Sequence, residues 1–293
     1  MPPSVLLRST SALGRHLVAS TDLPASSTIL TSVPLLAYSS SKTLHSSRCL
    51  HCYRPSAVCR NSCLPASSPA SSPFMDALSQ LPGAVEPSLV ERLPPGRFSG
   101  IAFLAALRVF LEAQQGDGAP GGTQEALAEL AHPLMDVVPR ELEQKFGETH
   151  RCFSEVFGLP AAKLAWFDVD FFKAVYLRCS VNAFKTTVVT GLADEHDITS
   201  LHTTPSLFNH SCSPNVEMGS DGAVLTFKVG DRDVQEGEEL VISYLDVDKT
   251  QYNSKERRAF LYENYGFSCQ CPLCLAGDMS LPKYRRRRGG RRR

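Results

Sequence analysis

Apolar residues between positions 4 and 38 come in short bursts: Leu17-Val18-Ala19, Thr28-Ile29-Leu30 and Leu35-Leu36-Ala37. Bursts this short, separated by turn formers, read as strands, with 22–24 as one of the turns. The texture changes at Phe98. Ile101, Leu104, Ala105, Leu107 and the apolar residues from Val109 to Leu111 fall at helical spacing and predict a helix over 98–112. Residues 115–122 contain four glycines and a proline and mark a loop. Helical patterning resumes over 123–130, 141–146 and 162–179, with Thr123 as a cap and Pro133 and Pro139 as punctuation. Past Val181 the pattern returns to strands. The stretches 186–190, 223–229 and 239–244 are rich in branched and aromatic residues between Gly and Asp turns. Residues 255–262 are helical again. There is no internal repeat. Strands, a helical block, then strands predict an α+β protein with inserted modules.

Composition narrows this little. A hydrophobic fraction of 43% across 293 residues is enough for a buried core. No apolar run approaches the roughly 20 residues of a membrane helix, and the early candidate at 29–38 is broken by Pro34. Arg8 and Arg15, with Ser and Thr and no acid before Asp22, fit a mitochondrial presequence as a minor alternative to the strand reading. Charge adds more. The whole chain balances 30 basic against 30 acidic residues, yet seven arginines and Lys283 put +8 into 279–293 and leave −8 for the rest. An acidic body attracts a basic polypeptide. An Arg-rich tail suits phosphates, nucleic acid or a nuclear import receptor, and predicts a nuclear or nucleus–cytoplasm distribution.

The ten cysteines change the picture most, because seven of them fall in two tight clusters. Cys269-x-Cys271-x-x-Cys274 packs three thiols into six residues. Structural zinc takes four tetrahedral ligands, so this set is one short. Cys49-x-x-Cys52, Cys59 and Cys63 form a second group, followed by a Pro-, Ala- and Ser-rich connector over 64–73. The chain is large and lacks a secretory signal, so metal binding is favoured over a disulfide framework.

One stretch is specific enough to carry a resemblance. LFNHSCSPN over 207–215 resembles the asparagine-histidine-serine-cysteine motif of SET domains. DRDVQEGEELVISY over 231–244 is similar to the hairpin and last strand that end in the SET catalytic tyrosine. KERRAFLYENYGFSCQCPLC over 255–274 is similar to the post-SET element of the SET-and-MYND subfamily. Upstream, GRHLVASTDL over 14–23 resembles the opening SET strand, and Val181-Asn-Ala-Phe184 a cofactor-contacting turn. A cysteine module after the opening strands is also that subfamily's arrangement, although here the module is degenerate.

The resemblance implies a SET fold of small sheets with a pseudoknot-like C-terminal arrangement. The split SET domain spans 4–244, with the degenerate MYND-like insert and linker at 45–73 and a helical insert at 98–180. A post-SET zinc segment follows at 245–276, then an Arg-rich disordered tail at 277–293. It implies an S-adenosylmethionine-dependent protein-lysine N-methyltransferase, with a catalytically weak SET-fold protein-interaction module as the alternative. Tyr244 is the implied catalytic residue. Gly14, Arg15, Asn182, Ala183, Phe184, Asn209, His210, Tyr244, Tyr265 and Phe267 are the implied cofactor contacts. Cys212 is the implied fourth ligand beside Cys269, Cys271 and Cys274, and Cys49, Cys52, Cys59 and Cys63 are candidates for a second zinc. The expected partner is a protein lysine, histones included, met by a monomer. One departure stands out: His16 replaces the second glycine of the usual glycine-x-glycine turn, where a side chain would crowd the cofactor carboxylate.

Overall fold

The computed structural model describes residues 4–11, 13–39, 41, 44, 48–49, 51–55, 59, 99–115, 122–132, 144, 146–147, 168–191, 194–245 and 252–277. Strands β1 (Val5–Thr10) and β2 (Gly14–Ala19) form an antiparallel hairpin in which Val5 faces Ala19 and Thr10 faces Gly14. Strand β3 (Thr28–Ser32) pairs with β9 (Val224–Val229), which pairs in turn with β8 (Val216–Asp221). A third sheet holds β4 (Leu36–Tyr38), β6 (Asp194–Leu201) and β5 (Phe184–Thr190) in that order. The short strands β7 (Asn209–His210) and β10 (Val241–Ile242) pair in parallel. The helices are α1 (Ser99–Gln115), α2 (Gly122–Ala128), α3 (Val169–Asn182), α4 (Ser254–Tyr265) and α5 (Pro272–Leu275), with a 3-10 turn at Pro205–Leu207. Among the described residues no helix is long and apolar enough to cross a membrane.

Two cores divide the work. Ile101, Ala105, Val109, Leu127, Phe172, Val175 and Cys179 bury the helical block against Leu36 and Leu201 of the third sheet. Gly100 lies directly under the Tyr38 ring, where a Cβ would overlap it, so α1 meets β4 at a glycine for a steric reason. The second core joins Leu17, Leu30, Phe208, Val216, Phe227, Val234 and Leu240, with Phe184 and Tyr244 at its border. Large side chains buried in this way each contribute about 1.5–3 kcal/mol.

The C-terminal crossing is held by one polar side chain. Asn215 donates to the Glu239 carbonyl at 2.8 Å and to Glu238 Oε1 at 3.1 Å, and accepts from the Val241 amide at 2.9 Å. An amide buried to 6% exposure thus satisfies backbone groups that a two-strand parallel pair cannot reach.

Several boundaries differ from expectation. The strand expected over 239–244 is limited to Val241–Ile242. Thr123 sits inside the first turn of α2 and is buried, so it does not precede the helix as a cap. Helix α3 runs on to Asn182, begun by Asp168 accepting from the Phe171 amide at 2.8 Å. Residue 23, expected in a turn, bridges Val234. The connector 64–73, Pro133, Pro139, most of 141–146, residues 162–167 and the tail beyond 277 lie outside the described residues.

Candidate active site

The site is assembled where β7 and β10 run side by side. That pairing places Tyr244, two residues past β10, against His210 of β7. The Tyr244 amide donates to His210 Nδ1 at 2.9 Å, and the Tyr244 hydroxyl donates to the Phe208 carbonyl at 2.6 Å. Around the phenol ring stand Tyr265 at 4.8 Å, His210 at 5.2 Å and Phe267 at 6.3 Å between centroids. Burial, with smaller contributions from Tyr265 and Glu239, pushes the phenol well above its ordinary value. At neutral pH Tyr244 is an un-ionised hydroxyl whose proton is committed to Phe208. Its lone pairs remain to accept a donor.

Tyr265 and Phe267 reach the ring because of how α4 ends. Asn253 and Glu256 form a reciprocal capping box at its start, with bonds of 2.9 Å each way. At its end Gly266 takes a left-handed conformation at φ 79°, which turns the chain back toward Tyr244.

Behind this aromatic wall the sulfurs of Cys212, Cys269, Cys271 and Cys274 all lie within 4.8 Å of one another. Cys212 is 3.9 Å from Cys269 and 3.5 Å from Cys274. Tetrahedral zinc with Zn–S bonds of 2.3 Å has sulfur–sulfur edges of roughly 3.8 Å, so the spacing and the donor set fit zinc. Hydrogen bonding from the Cys212 thiol draws Cys269 down to about 3, while giving that bond pushes Cys212 up. One thiolate is therefore favoured by the cluster itself. Four require a cation. His210 joins the cluster to the tyrosine: its Nδ1 accepts from Tyr244, and its Nε2 lies 3.2 Å from Cys212 Sγ, which fixes the Nε2–H tautomer as donor to sulfur.

The remaining expected contacts line the opening strand and the end of α3. Gly14 is left-handed at φ 64°, and nothing lies within 4 Å of the position a Cβ would take. Asn209 donates to Glu239 Oε1 at 2.9 Å and to the Leu13 carbonyl at 3.2 Å, fastening β7 to the residue before Gly14. Arg15 pairs with Glu129 at 2.8 Å and also donates to its carbonyl. His16 is 4% exposed and its Nδ1 lies 3.0 Å from the Gly14 carbonyl, so the ring is folded back along its own strand. The Asn182 side chain is used internally, donating at 2.7 Å to the Ala131 and Arg178 carbonyls and accepting from the Ala131 amide at 3.3 Å. Its carbonyl accepts from Ser206 at 3.3 Å, which sets residues 182–184 beside the turn leading to Asn209. Ala183 closes α3 in an extended conformation. Phe184 is edge-on to His202 and Phe227.

A model of the SET domain matches residues 14–245. The chain belongs to the SET-domain family. This SET domain is 45% identical over 74 residues to a SET and MYND domain-containing protein of Dictyostelium discoideum, covering 25% of the chain and 17% of that protein. It is 42% identical over 77 residues to the Gallus gallus protein-lysine N-trimethyltransferase SMYD5, covering 26% and 18%. To the Arabidopsis thaliana histone-lysine N-methyltransferase ATXR4 it is 30% identical over 134 residues, covering 39% of each. The chain thus spans about a fifth to two fifths of the length of these relatives. A solved structure of Rubisco LSMT bound to AdoMet overlaps with a TM-score of 0.40 at 16% identity, over 92% of this chain and 52% of that one. The family assignment does not rest on that overlap.

Three further cysteines form a separate group. Cys49, Cys52 and Cys59 bring their sulfurs within 4.8 Å, with Cys52 donating to Cys59 at 3.5 Å. Cys63 lies outside the described residues. Four neighbours of these residues were not singled out in the sequence. They are the Phe208 carbonyl, Glu239, and the Arg257–Arg258 pair of α4, whose Arg258 donates to the carbonyls of Cys269 at 2.9 Å and Cys274 at 3.2 Å. A pair of basic residues on a polar helix reads as a solvated face until the fold shows otherwise.

Proposed function

We propose that this chain is an S-adenosylmethionine-dependent protein-lysine N-methyltransferase with a structural zinc at Cys212, Cys269, Cys271 and Cys274. The observation that carries it is Tyr244: a neutral hydroxyl, oriented by the Phe208 carbonyl and walled by Tyr265 and Phe267. The open space over left-handed Gly14, beside the Leu13–Asn209 bond, fits a cofactor approaching backbone. Gly14, Arg15, Asn209, His210 and the backbone of 182–184 would hold it, and when bound it supplies a methyl group on a positive sulfonium.

The chain's own contribution is to present the amine. A lysine with a pKa near 10.4 costs about 4–5 kcal/mol to deprotonate at pH 7. The rings of Tyr244, Tyr265 and Phe267 exclude water and lower that cost by desolvation. Tyr244 Oη, its own proton already given to Phe208, accepts the amine N–H and fixes the direction of the nitrogen lone pair. A raised phenol pKa leaves Tyr244 an orienting group and not a base at neutral pH.

The substrate class we infer is a basic protein, histones among them, because the chain outside 279–293 carries −8. We read the Arg-rich tail as supporting nuclear or nucleus–cytoplasm localisation with contacts to phosphates, and the protein as a monomer. The cysteine set at 49–59 adds a second zinc site in this reading.

The test is calorimetric titration of the zinc-loaded full chain with S-adenosylmethionine, followed by labelled methyl transfer to core histones and to other basic proteins. Micromolar binding and transfer to lysine are expected. Tyr244→Phe should keep affinity within about threefold and lower transfer by roughly a hundredfold or more. Binding without transfer to any basic protein would shift the reading to an interaction module, and absence of binding would remove the cofactor from it.

A further inference from the structure

Arg257, in the second turn of α4, is 1% exposed and is the largest fully buried side chain among the described residues. One terminal nitrogen donates to the Tyr252 carbonyl; the other lies 3.7 Å from Cys274 Sγ. Its Nε has no partner. Among the described residues no carboxylate pairs with it. A buried guanidinium without an anion is strongly disfavoured. The same place holds the converse problem: four thiolates on one divalent ion leave two surplus negative charges in a largely buried pocket. Each problem is the answer to the other.

We propose that Arg257 is the counter-cation of the four-cysteine zinc site, and that zinc loading is thereby coupled to the position of α4. The inference rests on reading these four thiols as a zinc site. Arg257 faces the sulfurs, while Arg258 holds the carbonyls of Cys269 and Cys274, so adjacent residues of one helix grip the metal loop by charge and by backbone. Helix α4 ends at Tyr265, and Gly266 turns the chain to Phe267. Both are rings of the wall around Tyr244. An ion at the cluster therefore draws on α4 through Arg257 and sets the wall, in addition to binding the loop directly. Arg257 is a positioning residue, acting on the wall through the cysteines.

The experiment compares wild-type chain, Arg257→Met, Arg257→Lys and Arg258→Ala, each zinc-loaded. Zinc release to a chromophoric chelator is timed, and exposed thiols are alkylated and mapped by mass spectrometry so that Cys212, Cys269, Cys271 and Cys274 are read separately from Cys49, Cys52 and Cys59. Arg257→Met should lower zinc affinity at the C-terminal cluster by about 10- to 100-fold. It should speed alkylation of zinc-bound Cys274, whose sulfur loses its donor, and leave the Cys49 group unchanged. Arg257→Lys should recover part of the affinity, because it returns the charge without the fork. Chelated protein gives the sharpest sign: without the tetrathiolate, Arg257→Met should raise the melting temperature relative to wild type, whereas loss of mere packing would lower it in both states. Unchanged zinc affinity in Arg257→Met, or a lysine variant no better than methionine, would overturn the inference. Should Arg257→Met fail to fold, the lysine variant against wild type decides the charge role. Absence of zinc from the four cysteines would instead defeat the zinc reading on which it rests.

Discussion

Cys49, Cys52 and Cys59 sit on a loop docked against the tip of the β8–β9 hairpin, whereas Cys212, Cys269, Cys271 and Cys274 join segments far apart in the chain. In the first group the Cys52 carbonyl accepts from the Ala223 amide at 2.7 Å, and Arg54 pairs with Asp221 at 2.9 Å. Tyr53 packs with Ala37, Val188, Ile198 and Ala223. These contacts are with sheet edges and a hairpin turn. In the second group one sulfur meets His210, which holds the Tyr244 amide, and another meets Arg257 of the helix that delivers Tyr265. The donor atom is the same; the consequences differ because of what each loop is fastened to. The first set staples an insert to a sheet. The second is wired through His210 to Tyr244.

The strongest way to break that comparison is to remove one thiol from each set. Cys274→Ser should abolish zinc at the C-terminal cluster and lower methyl transfer by roughly a hundredfold or more, because a lost ligand frees the loop that carries Phe267. Cys52→Ser should lower the melting temperature but leave the rate constant of the surviving folded protein within about threefold. Zinc content by atomic emission, melting curves and single-turnover transfer on both variants read the difference. Equal losses of transfer would show that the two sets are not separate in function.

A smaller effect is expected at Gly222. It is left-handed at φ 62°, and a Cβ there would lie 2.5 Å from the Cys52 carbonyl oxygen and 2.8 Å from that of Tyr53. The left-handed conformation alone costs an alanine about 1–2 kcal/mol, and backbone in contact cannot swing aside. Gly222→Ala should destabilise by about 2–4 kcal/mol in total, measured by denaturant unfolding. It should also speed alkylation of Cys49, Cys52 and Cys59 while sparing the C-terminal cysteines.

Acid should destabilise the fold through two buried imidazoles. His202 is 1% exposed between Ser32 and Ser200, and burial lowers its pKa from 6.5 to about 3; His51, in the cysteine loop, is lowered by burial and by Arg108. The unfolded chain takes up these protons near pH 6.5 while the folded chain does not. Stability from His202 is therefore present above pH 6.5 and falls as pH drops toward 3, with a slope of about 1.4 kcal/mol per pH unit; His51 acts in the same direction. His202→Asn should reduce that slope by one proton in pH-dependent denaturant melts. An unchanged slope would mean that His202 is charged in the folded protein.

Much of this was legible in the sequence, and the gaps have physical causes. The helices at α1 and α4, the strand at 224–229 and the thiols at 269–274 carry their own periodicity or spacing. The strands β6 and β8 did not announce themselves. β6 begins Asp-Glu-His-Asp and β8 is exposed over Glu217–Asp221, so each shows solvent a polar face and owes its place to a neighbour in the hairpin. His16 was legible as an unusual residue but not in its partner; only the folded strand shows its Nδ1 at the Gly14 carbonyl. Arg257 was invisible for the opposite reason. A charged residue on a polar helix implies solvent, and its burial depends on a metal loop folding over it.

The smallest predicted effect tests the Arg15–Glu129 pair. Arg15 and Glu129 form an exposed pair, with side chains 37% and 75% accessible, so their attraction is screened. Exposed pairs of this kind contribute about 0–1 kcal/mol. Arg15→Gln should accordingly shift the unfolding free energy by less than about 1 kcal/mol and leave zinc content unaltered. The affinity for S-adenosylmethionine is a separate measurement on the same variant. If Arg15 only ties β2 to the end of α2, that affinity stays within about twofold. If it contacts the cofactor, as the position after Gly14 implies, affinity drops by about tenfold while stability barely moves. The second pattern is the one expected, because a screened pair offers little reason to keep an arginine beside an open glycine.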